Sequence, residues 1–270
     1  MSADLDFTPP PASLFSTRRI GAMALRYFYL LRSSWPRLIE MAYWPTMQMI
    51  LWGFVTKFFI GESSWIAGAA GVLLAGGLSR RMGGGDKCLR DLGGRPILAH
   101  IIARAAPQVG KLVLNANGDP ARFDAFGLPV AADVVEGYAG PLAGVLTGLD
   151  WAAENAPEAA WLASFACDAP FFPRDMVEKM LAAIEAEGAD LACAVTHGRT
   201  HPVFGLWPLR LREELRKAML EEEMRKVDRW TARYKLVEVT FPDVETSAGA
   251  LDPFFNTNRP EDLEEAAGFL

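Results

Sequence analysis

The chain has 270 residues, 51% of them hydrophobic and 22% charged, which is enough to bury one large core or two smaller ones and too apolar for a disordered chain. The formal net charge is −6 but unevenly spread: residues 1–70 hold six basic and four acidic side chains, a balance of +2, which leaves −8 for the remainder. An acidic body excludes general nucleic-acid binding and requires any anionic substrate to meet a local basic pocket.

Residues 1–17, rich in Pro, Ser and Thr around TPPPAS, read as an unstructured tail. From 18 to 37, aromatic and aliphatic residues mix with Arg18, Arg19, Arg26, Arg32 and Arg37, as suits an amphipathic helix on a membrane surface or in a partner's groove. The stretch MAYWPTMQMILWGFVTKFFI, residues 41–60, would form about 30 Å of helix, the thickness of a bilayer core, but Pro45, Gln48 and Lys57 interrupt its apolar character. Its apolar part is too long and starts too late for a cleavable signal peptide, and no small-residue cleavage pattern follows.

Beyond Gly71 the pattern changes. Short apolar runs, GVLLA, KLVLNAN, LPVAAD, WLASFACD and LACAV, read as strands; PILAHIIARAAP, PLAGVLTGLDWAAEN and PRDMVEKMLAAIEAEG carry helical spacing between them. This alternation predicts a Rossmann-like, three-layer α/β/α domain with a mostly parallel sheet, preceded by a helical hydrophobic appendage. Ligands of such sheets bind outside the carboxyl ends of the strands. The expected division is 1–17 tail, 18–68 appendage and 69–270 domain.

Chemistry-bearing residues gather at those ends. GVLLAGG closes a strand with glycines that let backbone N–H groups approach a ligand, and Arg80, Arg81 and Lys87 add positive charge. The loop is not a Walker A motif, since Cys88 follows the lysine in GGGDK. On its residues alone it reads equally as a phosphate-binding loop or a surface turn. Asp168 follows the run WLASFAC and precedes a helix expected to open at Pro173; such a carboxylate suits Mg²⁺ held against phosphates, or the cap of a turn. Asp133, before a Gly/Pro turn that starts a helix at Pro141, and Asn115 stand at two further strand ends. Cys88, Cys167 and Cys193 lack metal-ligand or disulfide spacing and read as reduced cytosolic thiols. His100, His197 and His201 are scattered, and His100 reads as packing or surface.

In order, LAGGLSRRMGGGDK, NAN, Asp133 with GPLAG, CDAPF, HPVFGLW and NTNRPEDL make the region from about residue 70 onward resemble the molybdenum cofactor guanylyltransferases. The resemblance implies transfer of GMP from GTP to the phosphate of molybdenum-molybdopterin, with release of pyrophosphate. It also implies that Leu74, Ala75 and Gly76 line the guanine and ribose side, with Lys87, Asn115, Asp133 and Asp168 completing the nucleotide site. Asp168 would hold Mg²⁺. Arg81 and Lys87, with the metal at Asp168, would neutralise the two anions, and Asn256 and Asn258 would lie on the pterin side. A cytidylyltransferase of the same cofactor is the nearest alternative, and a sugar-phosphate nucleotidyltransferase a more distant one; both usually read LAAG where this chain has LAGG. From another class, a disabled, membrane-associated nucleotide-binding module would bind GTP without releasing pyrophosphate. The expected partners are small molecules, together with molybdenum-insertion and acceptor proteins, in the cytoplasm.

The family's chains start near GVLLAGG, so residues 1–70 are expected to be foreign to it. Residues 18–74, with YWPTMQMILWGF and SSWIAGAAGVLL, resemble instead the N-terminus of an ABC-type export permease, which suggests a fusion through the shared AGVLLAG. Were 41–60 to cross a membrane with its arginines inside, the return crossing would need residues 65–75, which also encode the first strand. An appendage lying on a membrane or packed loosely, with peripheral contact through residues 18–68, is therefore expected over a spanning anchor.

Overall fold

The computed structural model describes residues 17–33, 43–53, 68–75, 86–135, 137, 140–246 and 248–270. They fall in two units, Met1–Ile60 and Gly61–Leu270. The first holds helix α1 (Thr17–Ser33) and a second helix, α2 (43–53). Large apolar side chains on both are exposed, among them Tyr27, Phe28, Trp44, Ile50 and Trp52. Among the described residues no helix is long and apolar enough to cross a membrane. The tail expected over 1–17 lies outside the described residues up to residue 16, as do both ends of the 41–60 stretch.

In the second unit, strand β1 (Ala69–Leu74) shows how the sequence builds the sheet. Successive side chains of a strand point to opposite faces. Here both sets are apolar: Ala69 and Leu73 enter one core, Ala70 and Val72 another. A strand apolar on both faces needs cover on both. The chain continues through the short pair β2 (Asp91–Leu92) and β3 (Arg95–Pro96), α3 (Ile97–Ala105), β4 (Lys111–Asn115), β5 (Val130–Ala131), α4 (Pro141–Asn155), β6 (Trp161–Ala166), α5 (Met176–Glu187) and β7 (Leu191–Thr196). Then follow β8 (Arg199–Pro208), α6 (Arg212–Glu221), α7 (Val227–Thr231), β9 (Leu236–Thr240), the antiparallel pair β10 (Val244–Thr246) and β11 (Gly249–Leu251), and α8 (Pro260–Gly268). The seven-stranded sheet runs β5-β4-β1-β6-β8-β7-β9 and is parallel except at β8, which is antiparallel to both neighbours. Helices α3, α5 and α8 contribute to the core on one face; α4, α6 and α7 contribute to that on the other. The expected three-layer, mostly parallel architecture is the observed one. Residues 69–74 are a buried strand, which removes the return crossing through 65–75.

One local expectation changes. Helix α5 starts at Met176 and not at Pro173, because Gln108, 1% exposed, accepts a hydrogen bond from Val177 N (3.0 Å) and donates one to the carbonyl of Pro173 (2.9 Å). A cap supplied from 69 residues away leaves no local trace. Strand β8, read above only as the motif HPVFGLW, is interrupted: Cys193 pairs with Gly205 but Ala194 with His201, so residues 202–204 bulge from the ladder. Pro202, which has no N–H to donate, sits within that bulge.

The sheet register sets up the site. Leu74 pairs with Asn115 on one side and Ala166 on the other, so the carboxyl ends of β4, β1 and β6 finish level. Strand β5, pairing Ala131 with Asn115, finishes beside them.

Candidate active site

A cleft of 340 Å³ opens above those level strand ends, lined by Leu74, Ala75, Lys87, Asn115, Asp133 and Asp168, among others. Three of its lining residues stand within two residues of a strand's end: Ala75 after β1, Asp133 after β5 and Asp168 after β6, with Cys167 beside the last. Of the residues expected in the site, these six come together, and Gly76 and Arg81 lie outside the described residues.

Two polar groupings face each other across the cleft. In one, the Lys87 ammonium donates to Asp168 Oδ2 (2.9 Å) and to Asn258 Oδ1 (2.7 Å). The Asp168 carbonyl is held separately, accepting from Thr257 N (2.8 Å) and Thr257 Oγ1 (3.0 Å). The C-terminal segment thus fixes both members of the ion pair. Asn258, which the family resemblance puts on the pterin side, touches the lysine directly.

In the other grouping, Asp133 is gripped by two asparagines. Asn115 Nδ2 donates to its Oδ1 (2.9 Å), Asn117 Nδ2 to its Oδ2 (2.8 Å), and Asp133 N donates back to Asn117 Oδ1 (2.9 Å). Val134 N donates to Thr147 Oγ1 (3.0 Å), which anchors this turn on α4. Asp133 is half-buried, and a donor on each carboxylate oxygen offsets its partial desolvation and fixes its orientation. Ala75 N donates to the Asn115 carbonyl (2.9 Å), which continues the β1–β4 ladder one step into the cleft.

Several contributors escape a reading of the sequence. Asn117 lies in the NAN motif, but only the fold shows that it, too, holds Asp133. Val203 reaches the cleft through the β8 bulge, and the proline inside a strand-like run is the one local signal for it. Gly144 on α4 faces the strand ends so closely that a Cβ there would stand 2.4 Å from Asn115 Oδ1 and 2.5 Å from Leu74 Cδ2. Gly144→Ala should therefore cost about 1–3 kcal/mol of stability and displace Asn115. A urea melt and a GTP titration check this, and a wild-type midpoint with wild-type affinity would contradict it.

Cys88 and Cys167 also line the cleft, and both are buried. Burial, and then the charge of Asp86, push the Cys88 thiol up to about 12; burial also holds Cys167 well above the ordinary thiol range. Thiols kept protonated are poor nucleophiles. The native protein should resist a thiol reagent such as DTNB at pH 8 and react only on unfolding; rapid labelling of the folded chain would refute this.

Among the described residues no three acidic, cysteine or histidine side chains gather into a metal cage. A single carboxylate in an open cleft is nevertheless what Mg²⁺ uses when substrate phosphates and water supply its other ligands. Asp168 already accepts a cation, the Lys87 ammonium, so its position and charge fit that role.

The profile of the MobA-like NTP transferase domain matches residues 71–237. A molybdenum cofactor guanylyltransferase of Bradyrhizobium sp. (strain ORS 278) is 58% identical over 204 residues, 76% of this chain and 94% of that protein. The chain belongs to the molybdenum cofactor guanylyltransferase family. A guanylyltransferase of Rhodopseudomonas palustris (strain BisB5) is 55% identical over 195 residues, 72% of this chain and 90% of its own length. Among solved structures, molybdopterin-guanine dinucleotide biosynthesis protein A from Archaeoglobus fulgidus superposes with a TM-score of 0.56 at 20% identity, covering 74% of this chain and 97% of the other. At that identity the likeness concerns the fold. The MobA-like NTP transferase domain match, residues 71–237, falls on the parallel-sheet unit that carries the cleft.

Proposed function

We propose that this cleft carries out the guanylyltransferase reaction of the family: an oxygen of the terminal phosphate of molybdenum-molybdopterin bonds to the α-phosphorus of GTP, the bond to the bridging oxygen breaks, and pyrophosphate leaves. The observation that supports this assignment most directly is the Lys87–Asp168 contact standing opposite the Asn-gripped Asp133 in one cleft. Leu74 and Ala75 line the base and ribose side, to which the family resemblance also assigns Gly76. Asn115 orients Asp133 towards the nucleoside, and Lys87 meets the phosphates, a task in which the family resemblance also assigns Arg81 a part. Mg²⁺ at Asp168 would supply charge neutralisation for the phosphates.

The nucleophile is an ionised phosphate at pH 7, so no side chain has to remove a proton. Accordingly, no histidine lines the cleft among the described residues. What the chain must do is bring two anions together, and fixed cationic groups do that without reorganising during the reaction. Lys87, held by two acceptors before any ligand arrives, is preorganised for this.

The test is a Mg²⁺-dependent assay with molybdenum cofactor as acceptor, run in parallel with GTP and CTP. Pyrophosphate release with GTP and little with CTP is expected. The reverse preference would make the chain a cytidylyltransferase, and GTP binding without pyrophosphate would make it a disabled binding module.

We also infer the division proposed from sequence: tail 1–17, appendage 18–68 and enzyme domain 69–270, with the appendage derived from a permease-like segment. The exposed aromatic residues and the arginines of α1 support peripheral contact with a membrane on the cytoplasmic side, where GTP is supplied. Fractionation of the full chain beside one starting at Ala69 decides it: the longer chain should partition to membranes and the shorter should not. Equal solubility would dismiss membrane attachment.

A further inference from the structure

The acid just before the catalytic lysine has a partner that neither the sequence motifs nor the family match explains. Asp86 stands at the N-cap of the short 3-10 turn Lys87–Leu89, where an aspartate ordinarily accepts a bond from the turn's own N–H groups. Its side chain makes no such bond. Instead its Oδ2 lies 2.6 Å from Arg122 Nε, with the two side chains only 25% and 30% exposed.

Arg122 comes from a different part of the fold, the 3-10 segment Pro120–Phe126 that follows β4. Its position is prepared on three sides. One terminal nitrogen donates to the carbonyl of Asn117, the residue that grips Asp133. The guanidinium carbon lies 4.8 Å from the centre of the Phe123 ring, in cation–π range. Beneath it is Gly118, at φ +88°, where a Cβ would stand 2.9 Å from Arg122 Nη1. A glycine is needed there twice over: for the backbone conformation and for the room the guanidinium occupies.

One side chain therefore joins the supports of two residues that line the cleft: Asp86, which directly precedes Lys87, and Asn117, which holds Asp133. Glycine-rich segments do not fix their own ends, because glycine has the greatest backbone freedom to lose. Lys87 must nevertheless be placed to within about an ångström to act on a phosphate.

We propose that Arg122 is a positioning residue for the transfer reaction, fixing the Lys87 end of the glycine-rich segment through Asp86 and setting its distance from Asp133 through Asn117. This rests on the reading of Lys87 as the phosphate-binding lysine. The Nε–H is not aligned on the carboxylate although the atoms are close, so the pair acts by charge and the Asn117 bond supplies direction. A lysine at 122 would keep the charge and lose the fork.

The experiment compares Arg122→Ala, Arg122→Lys, Asp86→Asn and the double variant Asp86→Asn/Arg122→Ala in the full chain, measuring kcat, KM for GTP and Tm. Arg122→Ala is expected to lower kcat about tenfold to a hundredfold with KM changed much less and Tm nearly kept. Arg122→Lys should restore part of kcat, and the double variant should be no worse than the poorer single one, as for two groups acting as one unit. Three results would overturn the proposal: wild-type kcat in Arg122→Ala, a raised KM at unchanged kcat, which would make Arg122 a direct ligand contact, or losses in kcat that track losses in Tm. Lys87→Ala is assayed alongside. If that variant is fully active, the reading of the site itself has failed; if it is inactive while Arg122→Ala is normal, only the positioning role has.

Discussion

Lys87→Ala is expected to lower the turnover of GTP about a hundredfold or more, the usual effect of removing one preorganised charged group from a reacting centre, and to leave the fold standing. The two effects separate because the lysine is built into the site more than into the core. Its side chain is 16% exposed and its partner Asp168 is 32% exposed, so water reaches the carboxylate once the ammonium is gone. A partly exposed ion pair of this kind contributes on the order of 1 kcal/mol to folding. The thermal midpoint should therefore move little while kcat falls. Lys87→Arg should not rescue the rate, since a planar fork cannot take the place of a compact ammonium held between Asp168 and Asn258. Near-normal turnover in Lys87→Ala would remove the lysine from the mechanism.

Asp168→Asn isolates charge from shape. The backbone of residue 168 is held by Thr257 through its carbonyl, which the substitution does not touch, so the side chain should stay in place. What is lost is one negative charge at the point where Lys87 and a metal would meet. The expected result is a fall in turnover of about 10²–10³, with weaker binding of Mn²⁺ as a metal probe. Binding of GTP in the absence of metal should hold or tighten, because a carboxylate facing the phosphates has become neutral. Because Lys87 and Asp168 are in contact, the double variant should lose less than the two single losses together. A fully active Asp168→Asn enzyme with an unchanged Mg²⁺ requirement would show that this carboxylate is not the metal ligand.

Much of the cleft was legible because parallel strands end level. Asn115, Asp133 and Asp168 were each a polar residue closing an apolar run, and once those runs pair in register through Leu74 their ends meet. The α5 cap was not legible, since it depends on Gln108 from another element, and Pro202 was the one local sign of the β8 bulge. Helices α6, α7 and α8 were not read either. Among them, α6 and α8 are short and carry acidic first turns, and their few buried residues give a weak periodic signal.

The sequence by itself determined the layers and the family. Hydrophobic periodicity is local, so apolar runs of five or six residues alternating with helical spacing specify strands and helices wherever they finally pack. The ordered motifs from LAGG to NTNRPEDL mark the chemistry without any knowledge of contacts. Only the tertiary structure decided which partner each polar side chain takes: Asn258 on Lys87, Thr257 on the Asp168 carbonyl, Arg122 on Asp86. The two hydrogen bonds join residues 171 and 89 positions apart, and the ion pair joins elements on either side of α3 and β4. A hydrogen bond depends on distance and angle in space, which separation along the chain does not encode.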